Sequence, residues 1–388
     1  MSRRRVNLPD HHRVALAHAL GYDNYPNDLS AEPHIRYIAN RHIGRGTLEN
    51  HLCLFVHVIK HCSADAEKPT QPSTRLRSIR ALLDALISTD GETMFADTNP
   101  DSVSRREDVE DTVMYIVGTW AMLLGSFVQA PNGFRKVILA YNLQTGVENS
   151  HKEAYYEDLE GLIRRSSTRV NAFTLNVLAA VKLQWTYNIS QHMLLSRIGG
   201  RHVLEIFALP CALNATSLAN AVGIPSELRQ EIQESYCILF NAWPDPPKHA
   251  RIWHWLGIRK FCWCWSCSAH RHRAHIIRKY RKVCAYKPAT KARVRKSDRQ
   301  SEYDPLLVVL MNGTEASDWT QELFPCLWSR VVELEEHLQA AKPWSIWILF
   351  RDRRDTLQFW TFCFATVVVL LTFVQVVLGV AQVVGSFK

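Results

Sequence analysis

The sequence predicts a mainly α-helical cytosolic domain carrying a small antiparallel β-hairpin, followed by one C-terminal transmembrane helix. Three observations predict it. Apolar residues recur with helical period in several separate windows, two β-prone runs flank Gly199-Gly200, and the 26 residues from Phe359 to Val384 carry no charge.

The helical windows come first along the chain. Asn50 to Lys60 is an apolar stretch of helical character, and Arg75 to Ile87 places Leu76, Ile79, Leu82, Leu83 and Leu86 on one side. Polar linkers with Pro, Gly or Ser fall near Ser63 to Ser73 and Asp90 to Arg105. The uncharged run Thr112 to Ala130 follows Glu107, Asp108, Glu110 and Asp111, and reads as a buried helix with acids at its positive end or as a second span. Leu159 to Leu183 is again helical in period. The hairpin is expected near 191–209, with Gly199-Gly200 supplying the positive φ of a two-residue turn and Pro210 ending the second strand. Gly223 to Ser226 introduces a helix to about Phe240, and another is expected from about Leu323 to Ala341, before Pro343.

The apolar run from Phe359 has 16 Val, Leu or Phe among its 26 residues. As a helix it would extend about 39 Å against a hydrocarbon layer of about 30 Å. Those side chains favour the bilayer by roughly 5 to 10 kcal/mol in total, less what Gln375 and Gln382 subtract. Arg351, Arg353 and Arg354 precede the run and only Lys388 follows it, so the positive-inside rule places the preceding domain in the cytosol. Trp344, Trp347 and Trp360 suit the interface. The position of the span predicts insertion after synthesis, as in tail-anchored proteins. The N-terminal Met-Ser-Arg-Arg-Arg has no apolar core for a signal peptide, and the sequons at Asn188, Asn214 and Asn312 are expected to stay unmodified.

Charge and composition divide the rest. Lys248 to Lys296 holds 15 Lys/Arg and no Asp/Glu, while the remainder carries 31 basic against 37 acidic residues, so the net +9 is a local device. Composition therefore suggests a mainly helical domain at 1–245, a basic Trp/Cys/His-rich segment at 246–300 that is either disordered or membrane-apposed, a C-terminal helical part at 301–356 and the anchor at 357–385. Ten cysteines in 388 residues do not make a disulfide scaffold, and reduced thiols are the default.

The basic segment supports three readings. Four tryptophans lie between Trp253 and Trp265, interleaved with Cys262, Cys264 and Cys267 and followed by His270, His272 and His275. It can lie on the cytosolic leaflet, with indoles at head-group depth, Lys/Arg on anionic lipid head groups and Cys262, Cys264 and Cys267 S-acylated. Alternatively Cys262, Cys264, Cys267 and His270 bind zinc, although Cys-x-Cys is not the usual knuckle spacing. The plainer reading is a solvated insertion. Elsewhere His57 and His61, near Cys53 and Cys62, sit at i, i+4 on a helix, where surface or satisfied histidines are the plainer reading. Glu107, Asp108 and Asp111 could hold magnesium, but a second acidic motif is missing. Phosphate-loop, nucleophile-elbow, His-Glu-x2-His and dinucleotide motifs are absent.

The runs MLLSRIGGRHVLEIFALPCAL and KPWSIWILFRDRRDTLQFWTFCFATVVVLL resemble a large group of C-terminally anchored proteins of filamentous ascomycete fungi. The resemblance covers most of the chain, and implies an architecture and a fungal source without an activity. The resulting expectation is a scaffold or accessory interaction protein at an intracellular membrane, most simply the endoplasmic reticulum. Its partners would be the lipid bilayer, anionic head groups and a further protein; nucleic acid is not expected, and no cofactor beyond zinc. The alternative is a membrane-bound enzyme or accessory factor of a fungal secondary-metabolite pathway acting on an apolar substrate.

Overall fold

A computed structural model describes residues 10–41, 48–64, 81–82, 84, 112–122, 170–218, 224–241, 262, 264–284, 303–313, 318–341 and 356–386. Its helices are α1 (Asp10–Leu20), α2 (Glu32–Ala39), α3 (Leu48–Ala64), α4 (112–120), α5 (Ala172–Leu178), α6 (Ser226–Phe240), α7 (Trp265–Cys284), α8 (Pro305–Met311) and α9 (Trp328–Ala340), followed by the apolar helix Thr356–Ser386. The strands are β1 (Lys182–Thr186), β2 (Leu194–Ile198) and β3 (Arg201–Phe207). The described chain is mostly helical with a small mixed sheet.

The sheet corrects the antiparallel expectation. The β2–β3 hairpin forms as predicted, with Leu195 opposite Leu204 and positive φ of 57° and 77° at Gly199 and Gly200, as a primed two-residue turn requires. However, β1 joins the other edge of β3 in parallel, with Leu183 opposite Leu204, giving the order β1-β3-β2. The central strand is buried from Val203 to Phe207, including Glu205, whose carboxylate accepts from Ser196 Oγ at 2.9 Å. Two-sided cover explains why this strand is a nearly continuous apolar run.

The predicted helix over Leu159 to Leu183 is a second correction within its described part. Asn171 caps α5 by accepting from the backbone N–H of Phe173 and Thr174, and Thr174 Oγ1 accepts from Asn171 N–H, a reciprocal capping box. The helix then ends after Leu178, Ala180 turns at φ 54°, and the chain enters β1. The helix α4 covers only the first half of the run that starts at Thr112. Val113, Ile116 and Trp120 are buried, and Met122 leaves the helix at φ 56°, so these residues belong to the domain core; 123–130 lie outside the described residues.

One buried apolar cluster includes Leu16, Phe55, Trp120, Ile206, Tyr236, Tyr280, Met311 and Leu338. Residues from all three stretches that composition separates before the apolar helix thus share one core. The basic stretch contributes α7, which turns Cys267, Ile276 and Tyr280 inward. Its described part is a docked helix.

Carboxylates organise the helix ends. Asp304 caps α8 by accepting from Leu306 N–H at 2.9 Å, with Pro305 at the first helical position, and its second oxygen accepts from Cys211 N–H at 2.6 Å. Glu231 of α6 accepts from Cys326 and Leu327 N–H at 2.9 and 2.8 Å, supplying from another helix the cap that α9 lacks in its own sequence. Glu32 receives Arg13, Arg36 and the Tyr25 hydroxyl, tying α1 to α2.

Candidate functional site

Three cysteines meet where the chain enters α7. Cys262 and Cys264 precede the helix and Cys267 lies in its first turn, so one change of direction brings their sulfurs within 4.8 Å of one another. Cys267 N–H donates to Cys264 Sγ at 3.4 Å. Burial, followed by the neighbouring sulfurs, pushes the Cys267 thiol up to about 11. Adjacent sulfurs of a tetrahedral zinc site, with bonds of about 2.3 Å, stand roughly 3.8 Å apart. The donor set therefore fits a thiophilic metal, and the cluster could bind one.

The expected fourth ligand is placed differently. His270 lies outside this group, and its Nδ1 is 3.2 Å from a guanidinium nitrogen of Arg273, which also donates to Asn241 Oδ1 at 2.7 Å. Three cysteines are thus brought together and the histidine is not. Cys267 is buried, whereas Cys262 and Cys264 are half-buried, so only the latter two are open to an acyl donor.

The rest of α7 separates anchoring from display. The Tyr280 hydroxyl donates to Ala208 O at 2.7 Å and accepts from Asp304 N–H at 3.0 Å, while Trp265 and His272 pack edge-on against Phe173. Arg278, Lys279 and Lys282 remain exposed, and Arg281 lies over the Tyr303 ring at 5.3 Å. A partly open recess between α5 and α7, lined by Asn171, Phe173, Phe240, His272 and Arg273, has a cavity volume of about 10 Å³, room for about one water. Ligand pockets are usually about 300–1,000 Å³.

On α3, His57 is exposed and His61 half-buried, and no metal-ligand group forms there among the described residues. Glu107, Asp108, Asp111, Arg351, Arg353 and Arg354 lie outside the described residues. Trp360 does not: it is exposed near the start of the apolar helix, with its ring 6.1 Å from that of Phe364. From Phe364 to Val383 this helix has a mean hydropathy of 2.5 and no part of its most apolar window is buried. It is long and apolar enough to cross a bilayer.

Two buried polar groups were not anticipated. His192 Nδ1 accepts from Phe207 N–H at 3.2 Å, so Nε2 carries the proton and donates to Ser235 Oγ at 2.8 Å, while Ser235 donates to Ile232 O at 2.7 Å. The serine proton is already directed into helix backbone, and burial, then Arg330, lowers His192 to about 3. This pair braces α6 against β3 and does not activate a nucleophile. The second group surrounds Cys211. Tyr22 donates to Cys211 O at 2.9 Å and touches His34 Nδ1 at 3.0 Å, and burial lowers His34 to about 3. Burial, then Asp304, pushes the Cys211 thiol up, away from the reactive thiolate. Asp304-Pro305 was a readable capping signal for this region; the buried histidines had none.

Comparison of the chain with protein-family models, curated proteins and solved structures gave no match.

Proposed function

We propose that this is a single-pass membrane protein, held at the endoplasmic reticulum by the helix Thr356–Ser386, whose cytosolic domain serves as a scaffold or accessory interaction module. The reading is carried by the contrast between that helix, with large apolar side chains such as Val369, Leu370 and Phe373 exposed in an unbroken run, and the described part of the domain, where most large apolar side chains are buried and the exposed ones, such as Leu29 and Val309, are scattered singly. Leaving such a surface in water forfeits about 25 cal/mol per Å², which only a bilayer or apolar partner restores. The protein should stay with vesicles through an alkaline carbonate wash, its domain should be digested by protease added outside, and Asn188, Asn214 and Asn312 should carry no sugar. Release by carbonate, or glycosylation of the domain, would overturn the reading; fractionation away from reticulum membranes would overturn the location.

Anionic lipid is the proposed surface partner of α7. Arg278, Lys279 and Lys282 are exposed on it, and each basic residue near an anionic leaflet is worth about 1 kcal/mol. In vesicles containing phosphatidylserine, Lys279 and Lys282 should be protected from amine-labelling reagents, and high salt should remove the protection. Equal labelling in neutral vesicles would refute it. Zinc is the proposed ion for Cys262, Cys264 and Cys267, with its remaining position left to water or an added ligand. Metal analysis should find near one equivalent, lost in the triple serine variant; metal-free protein after purification in zinc-containing buffer would end this part.

A further inference from the structure

The apolar helix is not uniform around its circumference. Thr361, Ala365, Thr372, Gln375, Gly379 and Gln382 recur along it, with Val368 completing alternating steps of four and three residues. At about 100° per residue they fall within an arc of about 100°, the narrow seam of a left-handed helix pair. The rest of the circumference is mainly Val, Leu and Phe, with Thr366 the one hydroxyl off the seam between 361 and 383.

The two glutamines decide what covers this seam. Thr372 is satisfied within its own helix, its hydroxyl donating to Val368 O at 2.8 Å. Gln375 and Gln382 are exposed and, among the described residues, make no hydrogen bond. In hydrocarbon a carboxamide has two donors and an acceptor with no water to meet them, so a polar partner at the same depth is strongly favoured. The chemistry selects the occupant: a carboxamide is its own complement, and a parallel copy brings Gln375 to Gln375 and Gln382 to Gln382. Neither residue carries a charge needing a counter-ion. Between them, a Cβ placed on Gly379 would meet no atom within 4 Å, which leaves a flat site for close backbone approach.

We propose that Gln375 and Gln382, with Gly379 between them, form a seam through which two copies of this helix pair in parallel within the bilayer. The inference rests on the helix being inserted, as proposed above.

The test reconstitutes full-length protein, labelled separately with donor and acceptor fluorophores, into phosphatidylcholine vesicles at falling protein-to-lipid ratios. Energy transfer should persist on dilution for the wild type. In the Gln375→Leu/Gln382→Leu variant, which is more apolar and therefore inserts at least as well, self-association should weaken about tenfold. Leu370→Ala/Val377→Ala, on the opposite side, should leave it unchanged. A monomeric wild type, an unaltered glutamine variant, or equal weakening by the opposite-side pair would overturn the seam. An alkaline wash of the same vesicles separates the two ideas: retained protein that fails to pair sinks the seam alone, whereas released protein sinks the anchor and the seam with it.

Discussion

Lowering the pH from 7 to 5 should remove about 4 kcal/mol of folding stability through His34 and His192. Both are fully buried, and burial lowers each to about 3 from an ordinary 6.5. A base whose folded value lies below its unfolded value contributes stability above pH 6.5, and that contribution is lost as the pH falls toward 3. At about 1.4 kcal/mol per unit, each histidine loses roughly 2 kcal/mol by pH 5, against a total stability of about 5–15. Asp304 and Glu231, raised by burial, work in the opposite sense, so differences between variants are more informative than the wild-type curve alone. Urea unfolding of the full chain in non-ionic detergent, followed by tryptophan fluorescence at pH 7, 6 and 5, measures the effect. His192→Gln and His34→Gln should each lower stability at pH 7 yet remove about half of the pH dependence. A double variant whose pH dependence from 7 to 5 equals that of the wild type would refute the reasoning.

Glu231→Ala should cost about 2–4 kcal/mol by the same assay, because two backbone donors at the start of α9 lose a charged acceptor; Glu231→Gln should cost less. Tyr280→Phe leaves the ring in place and should cost about 1–3 kcal/mol from the hydrogen bonds to Ala208 and Asp304. Gly200→Val forces a β-branched residue to φ 77° and should destabilise by about 1–3 kcal/mol, seen as a lower urea midpoint, with no change in membrane retention.

Features encoded by adjacent residues were the ones legible in the sequence. Gly199-Gly200 specifies its turn because both positions need positive φ, and the uncharged run after residue 359 needs no tertiary context to read as a long apolar helix. The Cys262, Cys264 and Cys267 cluster was also legible, since all three fall within one turn of chain. The strand β1 was not: Lys182–Thr186 is short and poor in β-branched residues, and its conformation is set by parallel pairing to β3. The docked face of α7 is hidden in the composition of 246–300, because the helix begins only at Trp265 and buries sparsely spaced residues such as Cys267, Ile276 and Tyr280. His270 stands one turn from Cys267 and so suits a fourth ligand by spacing, but it stands equally one turn from Arg273, and its Nδ1 lies beside that guanidinium.

The clasp of Glu231 on α9 bears on reach. With α9 fixed to the core through Ala340 and the apolar helix starting at Thr356, the number of residues between them limits the separation of the two helix ends to at most about 55 Å. Once the helix is in a bilayer, the end of α9 stays within that distance of it, so that a binding partner in the same membrane meets the domain at a high local concentration, whereas one free in solution gains nothing from the attachment.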